Sequence, residues 1–161
     1  MRKAVLLACL ALSAFVSTAS ASDLTERNKT VARRVFEEVF TQGKFEAVDE
    51  LYAPDFVNHG LHRDVGLQED REATRGWRTA FPNLEMKAEK LIAEGDLVSV
   101  LWIAHGTNTG TGKGLSATGK SIEVSGITIW RIVDGRIKEE WSSFDELGIL
   151  RQLGLLPAGK E

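Results

Sequence analysis

The hydrophobic period of this chain changes once, near Leu84, and that change limits the folds open to it. Before it, Ala32, Val35, Phe36, Val39 and Phe40 recur at helical spacing and predict an amphipathic helix from about Leu24 to Thr41. Asp23-Leu-Thr-Glu26 reads as its capping box and Gly43 as its stop. Phe45, Val48, Leu51 and Tyr52 predict a second, shorter helix ending before Pro54. A short extended piece, Asp55 to His59, leads through the loop Gly60 to Gly66 into a third helix, about Leu67 to Phe81, closed by Pro82.

From Leu84 on, apolar residues alternate as in strands. Leu84–Ala93 and Leu97–Thr107 flank the turn Glu94-Gly95-Asp96. The glycine-rich stretch Asn108 to Lys120 precedes Ile122–Val133, and Asp134-Gly135 is a two-residue hairpin turn into Ile137–Ser143. Asp145–Leu153 closes the chain as a helix. Helices followed by hairpins predict an α+β domain: a strongly curved antiparallel sheet packed on the N-terminal helices around a pocket.

The first 21 residues are read apart. Arg2 and Lys3 precede the 13-residue apolar run Ala4–Val16, and an A-x-A pattern ends at Ala21. This is the layout of a secretory signal peptide cleaved after Ala21, for an exported, periplasmic or secreted protein. The run is too short for the roughly 20 residues that span a bilayer, so the mature form has no membrane anchor. Residues 22–161 are then one domain. Cleavage removes Arg2, Lys3 and the single cysteine, Cys9, moving the formal net charge from −3 to −5. An acidic balance argues against a nucleic-acid partner, and loss of the only cysteine excludes disulfides and thiol chemistry.

Gly114 to Ser121 matches the phosphate-loop pattern G-x-x-x-x-G-K-[ST]. A strand pattern follows it where phosphate binding needs a helix N-terminus, so it reads as a hairpin loop. Asp145, at the end of the last strand pattern, has two readings. Ser143 and Glu146 form a capping box that would put Asp145 in a first helical turn; a cavity mouth would make it a general acid/base. His59, beside Asn58, can orient or polarise a carbonyl, or bond to its own loop. His59, His62 and His105 could form a metal set only if the fold made them converge. Trp102, Trp130 and Trp141 fall on three strands and serve either as core or as pocket walls. Arg71, Arg75 and Arg78, interleaved with Glu69, Asp70 and Glu72, read as a solvated helix face. There is no nucleophile elbow G-x-S-x-G.

Several stretches occur in a familiar order: Phe36-Glu-Glu-Val-Phe40, Ala53-Pro-Asp-Phe-Val-Asn-His59, Ala80-Phe-Pro-Asn-Leu84, Gly106-Thr-Asn-Thr-Gly110, Trp130-Arg-Ile-Val-Asp-Gly-Arg-Ile137, Glu139-Glu-Trp-Ser-Ser-Phe-Asp145 and Gln152-Leu-Gly154. From about Asn28 to Leu156 the chain resembles the SnoaL-like polyketide cyclase, or ester cyclase, family of the nuclear transport factor 2-like superfamily. The resemblance implies a conical sheet around a pocket, a homodimer through that sheet, and ring closure by aldol chemistry without metal or cofactor. It implies Asp145 as acid/base and His59 at the pocket. A histidine common in the family's G-T-H-x-G stretch is replaced here by Asn108, with His105 three residues earlier as a substitute. The reading is a cofactor-free cyclase, isomerase or dehydratase for a small apolar carbonyl substrate. Its rivals are an exported ligand-binding protein and a metal-dependent hydrolase.

Overall fold

The computed structural model describes residues 20–60 and 62–156. The apolar run Ala4–Val16 lies outside the described residues, as does the first residue of the A-x-A pattern. No helix among the described residues is long and apolar enough to cross a membrane.

Helix α1 spans Ala21–Arg34 and continues as a wider π-helical segment over Val35–Thr41. It starts three residues earlier than the sequence predicts, because Ser20 is the N-cap and Asp23 closes the capping box back onto the Ser20 N–H at 3.4 Å. A 3-10 turn, Phe45–Ala47, runs into the short α2, Val48–Leu51, and strand β1 then begins at Tyr52 and ends at His59. β2 (Asp64–Gly66) pairs back on β1, forming a small hairpin inside the predicted loop. Helix α3 is Leu67–Ala80, followed by β3 (Glu85–Glu94), β4 (Leu97–Thr107), β5 (Ser121–Val133) and β6 (Arg136–Phe144). Helix α4, Glu146–Leu153, ends on Gly154 at φ 72°, the left-handed cap that glycine adopts at low cost.

The strands form one curved, unclosed sheet in the order β2-β1-β6-β5-β4-β3, with β1 parallel to β6 and every other pair antiparallel. Along β5 the buried residues are Ile122, Val124, Gly126, Thr128, Trp130 and Ile132, every second position. That alternation gives the sheet an inner face, on which α1, its π-helical extension and α3 pack. Phe36, Trp130, Phe81, Leu51, Ile132 and Ile137 are fully buried there. Two staples fix the helices. Thr41 bonds both the Met86 carbonyl (3.0 Å) and the Met86 N–H (2.9 Å). Arg78 donates to the carbonyls of Phe40, Thr41 and Leu84 at 2.7–3.1 Å, satisfying oxygens a helix end leaves open. Arg71 pairs with Asp49 and Arg75 lies over the Phe45 ring at 5.1 Å. Arg71 and Arg78 therefore tie α3 to the neighbouring turns and are not part of the solvated face their spacing suggested, whereas Arg75 stays exposed.

Candidate active site

Between the helices and the inner face lies a cavity of about 350 Å³. Its walls are largely aromatic: Phe36 and Phe40 from the π-helical segment, Trp77 and Phe81 from α3, Trp102 and Trp130 from the sheet. The π-helical turn brings Phe36 and Phe40 together, their rings 6.1 Å apart. Aromatic walls of this kind hold a flat apolar ligand and keep water out.

One end of the cavity is polar. Asp70, Ala73, Thr74 and Trp77 line it from one side of α3, at helical spacing. Asn58 on β1 stands opposite Glu140 on β6 in the strand register. The Asn58 amide nitrogen donates to Asp70 at 2.8 Å and to Glu140 at 3.3 Å, so a single NH₂ group bridges two carboxyl groups. Glu140 also accepts from Trp130 Nε1 at 2.7 Å and from the Ser142 hydroxyl at 2.9 Å. Behind Ser142, Thr128 lies at 2.7 Å and accepts from Trp102 Nε1 at 3.0 Å. Because Ser142 gives its only hydrogen to Glu140, the Thr128 hydroxyl must point at Ser142. The donors therefore run one way, from Trp102 to Glu140.

Burial sets the chemistry of this pair. It pushes the Glu140 carboxyl up to about 7; the Asp70 charge adds to the effect, and the bonds from Trp130 and Ser142 only partly offset it. Asp70 is raised by burial as well, against the Asn58 hydrogen bond and the positive charge of Lys113, which lower it. Glu140 is thus poised to exchange a proton near neutral pH.

The family model of SnoaL-like polyketide cyclases matches residues 30–153. The chain belongs to this family. It is 31% identical over 124 residues to the nogalonic acid methyl ester cyclase of Streptomyces nogalater, covering 71% of this chain and 89% of that protein. Among solved structures, IdmH of Streptomyces antibioticus, assigned as a polyketide cyclase, is 26% identical with a TM-score of 0.69, over 79% of this chain and 98% of its own. A protein from Jannaschia sp. CCS1, assigned as a SnoaL-like polyketide cyclase, has the same fold, with a TM-score of 0.77 at 23% identity over 87% of this chain and 100% of its own. The fold is that of SnoaL-like and nuclear transport factor 2-like cyclases, and membership supports an enzyme of the cyclase type.

Of the residues singled out by sequence, this SnoaL-like chain brings Asn58, Trp102 and Trp130 to the cavity. Asp145 does not line it. It is exposed and is itself the N-cap of α4, accepting from the Gly148 N–H at 2.7 Å; the capping box assigned to Ser143 and Glu146 is not the one that forms. His59 and Trp141 stack on the outer face of the sheet, ring centres 4.8 Å apart, with the His59 nitrogens 3.1 Å from Asp64 and 3.0 Å from Glu139. His105 is exposed on β4, 3.5 Å from Glu123 and separated from β1 by two intervening strands, while His62 is exposed in the loop before β2. The three histidines do not converge. Asn108 is buried as a loop anchor: its amide donates to the Ala80 and Gly110 carbonyls, both at 3.0 Å, and accepts from Thr118. Gly114 to Ser121 runs straight into β5, with no helix behind it.

Glu140 is hidden from the sequence pattern for a geometric reason. A regular hairpin at Asp134-Gly135 would put Ile137, Glu139 and Trp141 on the inner face. Val133 does face Arg136, and Ile132 does face Ile137, but the next pair is Arg131 with Glu139. Lys138 is thus an extra residue, a β-bulge, which turns Glu140 inward and Trp141 outward. For Asp70 a signal existed: it is seven residues before Trp77, two helical turns along the same face.

Proposed function

We propose that this chain is a cofactor-independent acid/base enzyme that cyclises, isomerises or dehydrates a small apolar carbonyl compound, with Glu140 as the group that moves the proton. The observation that carries the reading is a carboxyl group titrating near 7 at the polar end of an aromatic cavity. Such a group is partly ionised at working pH and can both remove and return a proton. For a ring closure, the Glu140 carboxylate takes a proton from the carbon next to a carbonyl. The enolate carbon then attacks a second carbonyl of the same molecule, and Glu140 returns its proton to the oxygen that becomes the hydroxyl. Asn58, Trp130 and Ser142 fix the carboxylate's orientation, and Asp70 keeps its proton affinity high.

The nogalonic acid methyl ester named for the Streptomyces nogalater relative is the first substrate to try, followed by other cyclisable esters. Glu140→Gln should lower turnover about 100-fold or more, the scale of a lost general base. Asp145→Asn and His59→Gln, both outside the cavity, should retain it. Full turnover by Glu140→Gln would sink the assignment. The same reading has the chain act after export, supported by the Arg2-Lys3 start and the apolar run of residues 4–16. It also has the outer face of the sheet pair with a second copy, supported by the exposed Leu101, Ile127, Ile129 and Trp141.

A further inference from the structure

Removing a proton beside a carbonyl leaves charge on the carbonyl oxygen, and that oxygen needs a donor. Most donors at the polar end of the cavity are already committed, and the two that make no hydrogen bond among the described residues, the Thr74 hydroxyl and Trp77 Nε1, are neutral groups that do not offset a full negative charge. Trp130 Nε1 serves Glu140, Trp102 Nε1 serves Thr128, the two hydroxyls point along their chain to Glu140, and the Asn58 amide bridges both carboxylates. Lys113 is the one cationic side chain that lines the cavity among the described residues. Its ammonium lies over the Trp77 ring, 5.8 Å from the ring centre.

Lys113 is held there by its loop, Asn108 to Lys120. A Cβ on Gly110 would overlap the Thr79 carbonyl, and one on Gly112 would overlap the Gly76 carbonyl, so the loop backbone lies directly on α3. A Cβ on Gly76 would in turn meet the Lys113 backbone nitrogen at 3.3 Å. Lys113 itself sits at φ 54°, a left-handed conformation that is strained for a residue with a Cβ. Strain of this kind persists where the surroundings over-determine it, and it gathers at functional sites.

Resting on the acid/base reading above, we infer that Lys113 binds the carbonyl oxygen of the substrate and stabilises the enolate oxygen. In the step, the C–H bond breaks and its proton goes to a Glu140 oxygen. The released electron pair forms the carbon–carbon double bond, and the carbonyl π pair moves onto the oxygen facing Lys113. When the enolate carbon attacks, that oxygen becomes a carbonyl again, and the proton on Glu140 passes to the new alkoxide. The substrate class narrows to compounds whose enolisable carbonyl reaches the mouth of the cavity while the carbon losing the proton faces Glu140.

The test is the binding of 2-naphthol, a flat aromatic whose ionised oxygen resembles an enolate and whose ionised and neutral forms absorb differently. Asp70, Glu140 and Glu146 also line the cavity and oppose an anionic oxygen, so the sign of the effect is informative. Wild type and Lys113→Arg should bind the ionised form about tenfold more tightly than the neutral form, and Lys113→Met should lose that preference. Three results would overturn the inference: the same ionised fraction bound to Lys113→Met, bound naphthol less ionised than free naphthol in the wild type, or no binding. The measurement involves no proton transfer to or from carbon, so it stands apart from the role of Glu140. Turnover that depends on Glu140 with no naphtholate preference removes only Lys113. Naphtholate binding with turnover indifferent to Glu140→Gln removes the acid/base reading instead.

Discussion

At the scale of the residue, the site works through the cost of burying Glu140. Its carboxyl has a folded-state pKa of about 7, against 4.5 for an unperturbed glutamate, because burial and the Asp70 charge both disfavour ionisation. The native state therefore holds a proton that the unfolded chain gives up, and stability must fall as pH rises between those two values. The stabilisation is fully present below about pH 4.5 and is lost through about pH 7, a change of about 3 kcal/mol. Urea unfolding of wild type and Glu140→Gln at pH 5 and pH 8 checks this. The wild type should lose stability between the two conditions, and the variant, with no proton to lose there, should lose much less. Equal slopes would show that Glu140 is solvated and ordinary. Activity should run the other way, rising with pH through about 7 as the carboxylate forms, so the base is gained at the expense of the fold.

At the scale of the element, two small backbone devices aim the chemistry. The extra residue at Lys138 turns Glu140 inward, and glycine contacts seat the Asn108–Lys120 loop on α3. The second device is open to a direct test. Gly112→Ala would push a methyl group into the Gly76 carbonyl, so the loop must lift or α3 must shift, a cost of about 1–3 kcal/mol for overpacking. Thermal unfolding should show the loss, and naphtholate preference should fall with it although every cavity side chain is unchanged. An unaltered melting temperature with full preference would mean the loop is not seated as described. These devices also explain what could be read from sequence. Helix and strand positions follow from side-chain period, and β4 begins at Leu97 and ends at Thr107 as the alternation predicts. Trp130 and Trp102 sit where unbroken alternation puts them. Glu140 and Trp141 exchanged faces because a bulge adds one residue without leaving any mark in the hydrophobic pattern. Asp145 misled for a different reason: a carboxylate ending a strand suits a helix cap as well as an active site, and here it caps.

At the scale of the whole molecule, the two faces of the sheet carry different burdens. The inner face is consumed by the core and the cavity, whereas the outer face leaves large apolar side chains in water. Leu101 on β4 pairs directly with Ile127 on β5, and Ile129 pairs with Trp141 on β6, so these four form a band across three central strands. They are 37% to 49% exposed, far more than residues of their type when buried in a core. Charges of both signs border the band, with the Arg131–Glu139 ion pair beside Ile129 and Trp141 and the His105–Glu123 pair farther along the strands. An apolar centre with a mixed-charge rim is self-complementary under a two-fold rotation, which brings the same patch against itself. A second copy of this chain is the occupant we propose for the face. The cavity is lined from the opposite, inner face of the sheet, so pairing should leave naphtholate binding unaltered. Sedimentation equilibrium should give twice the monomer mass for the wild type. Ile127→Glu, which places a carboxylate at the centre of the band, should give a monomer that still folds and still binds naphtholate. A wild type that sediments as a monomer at tens of micromolar would leave the band an exposed apolar surface with no partner copy.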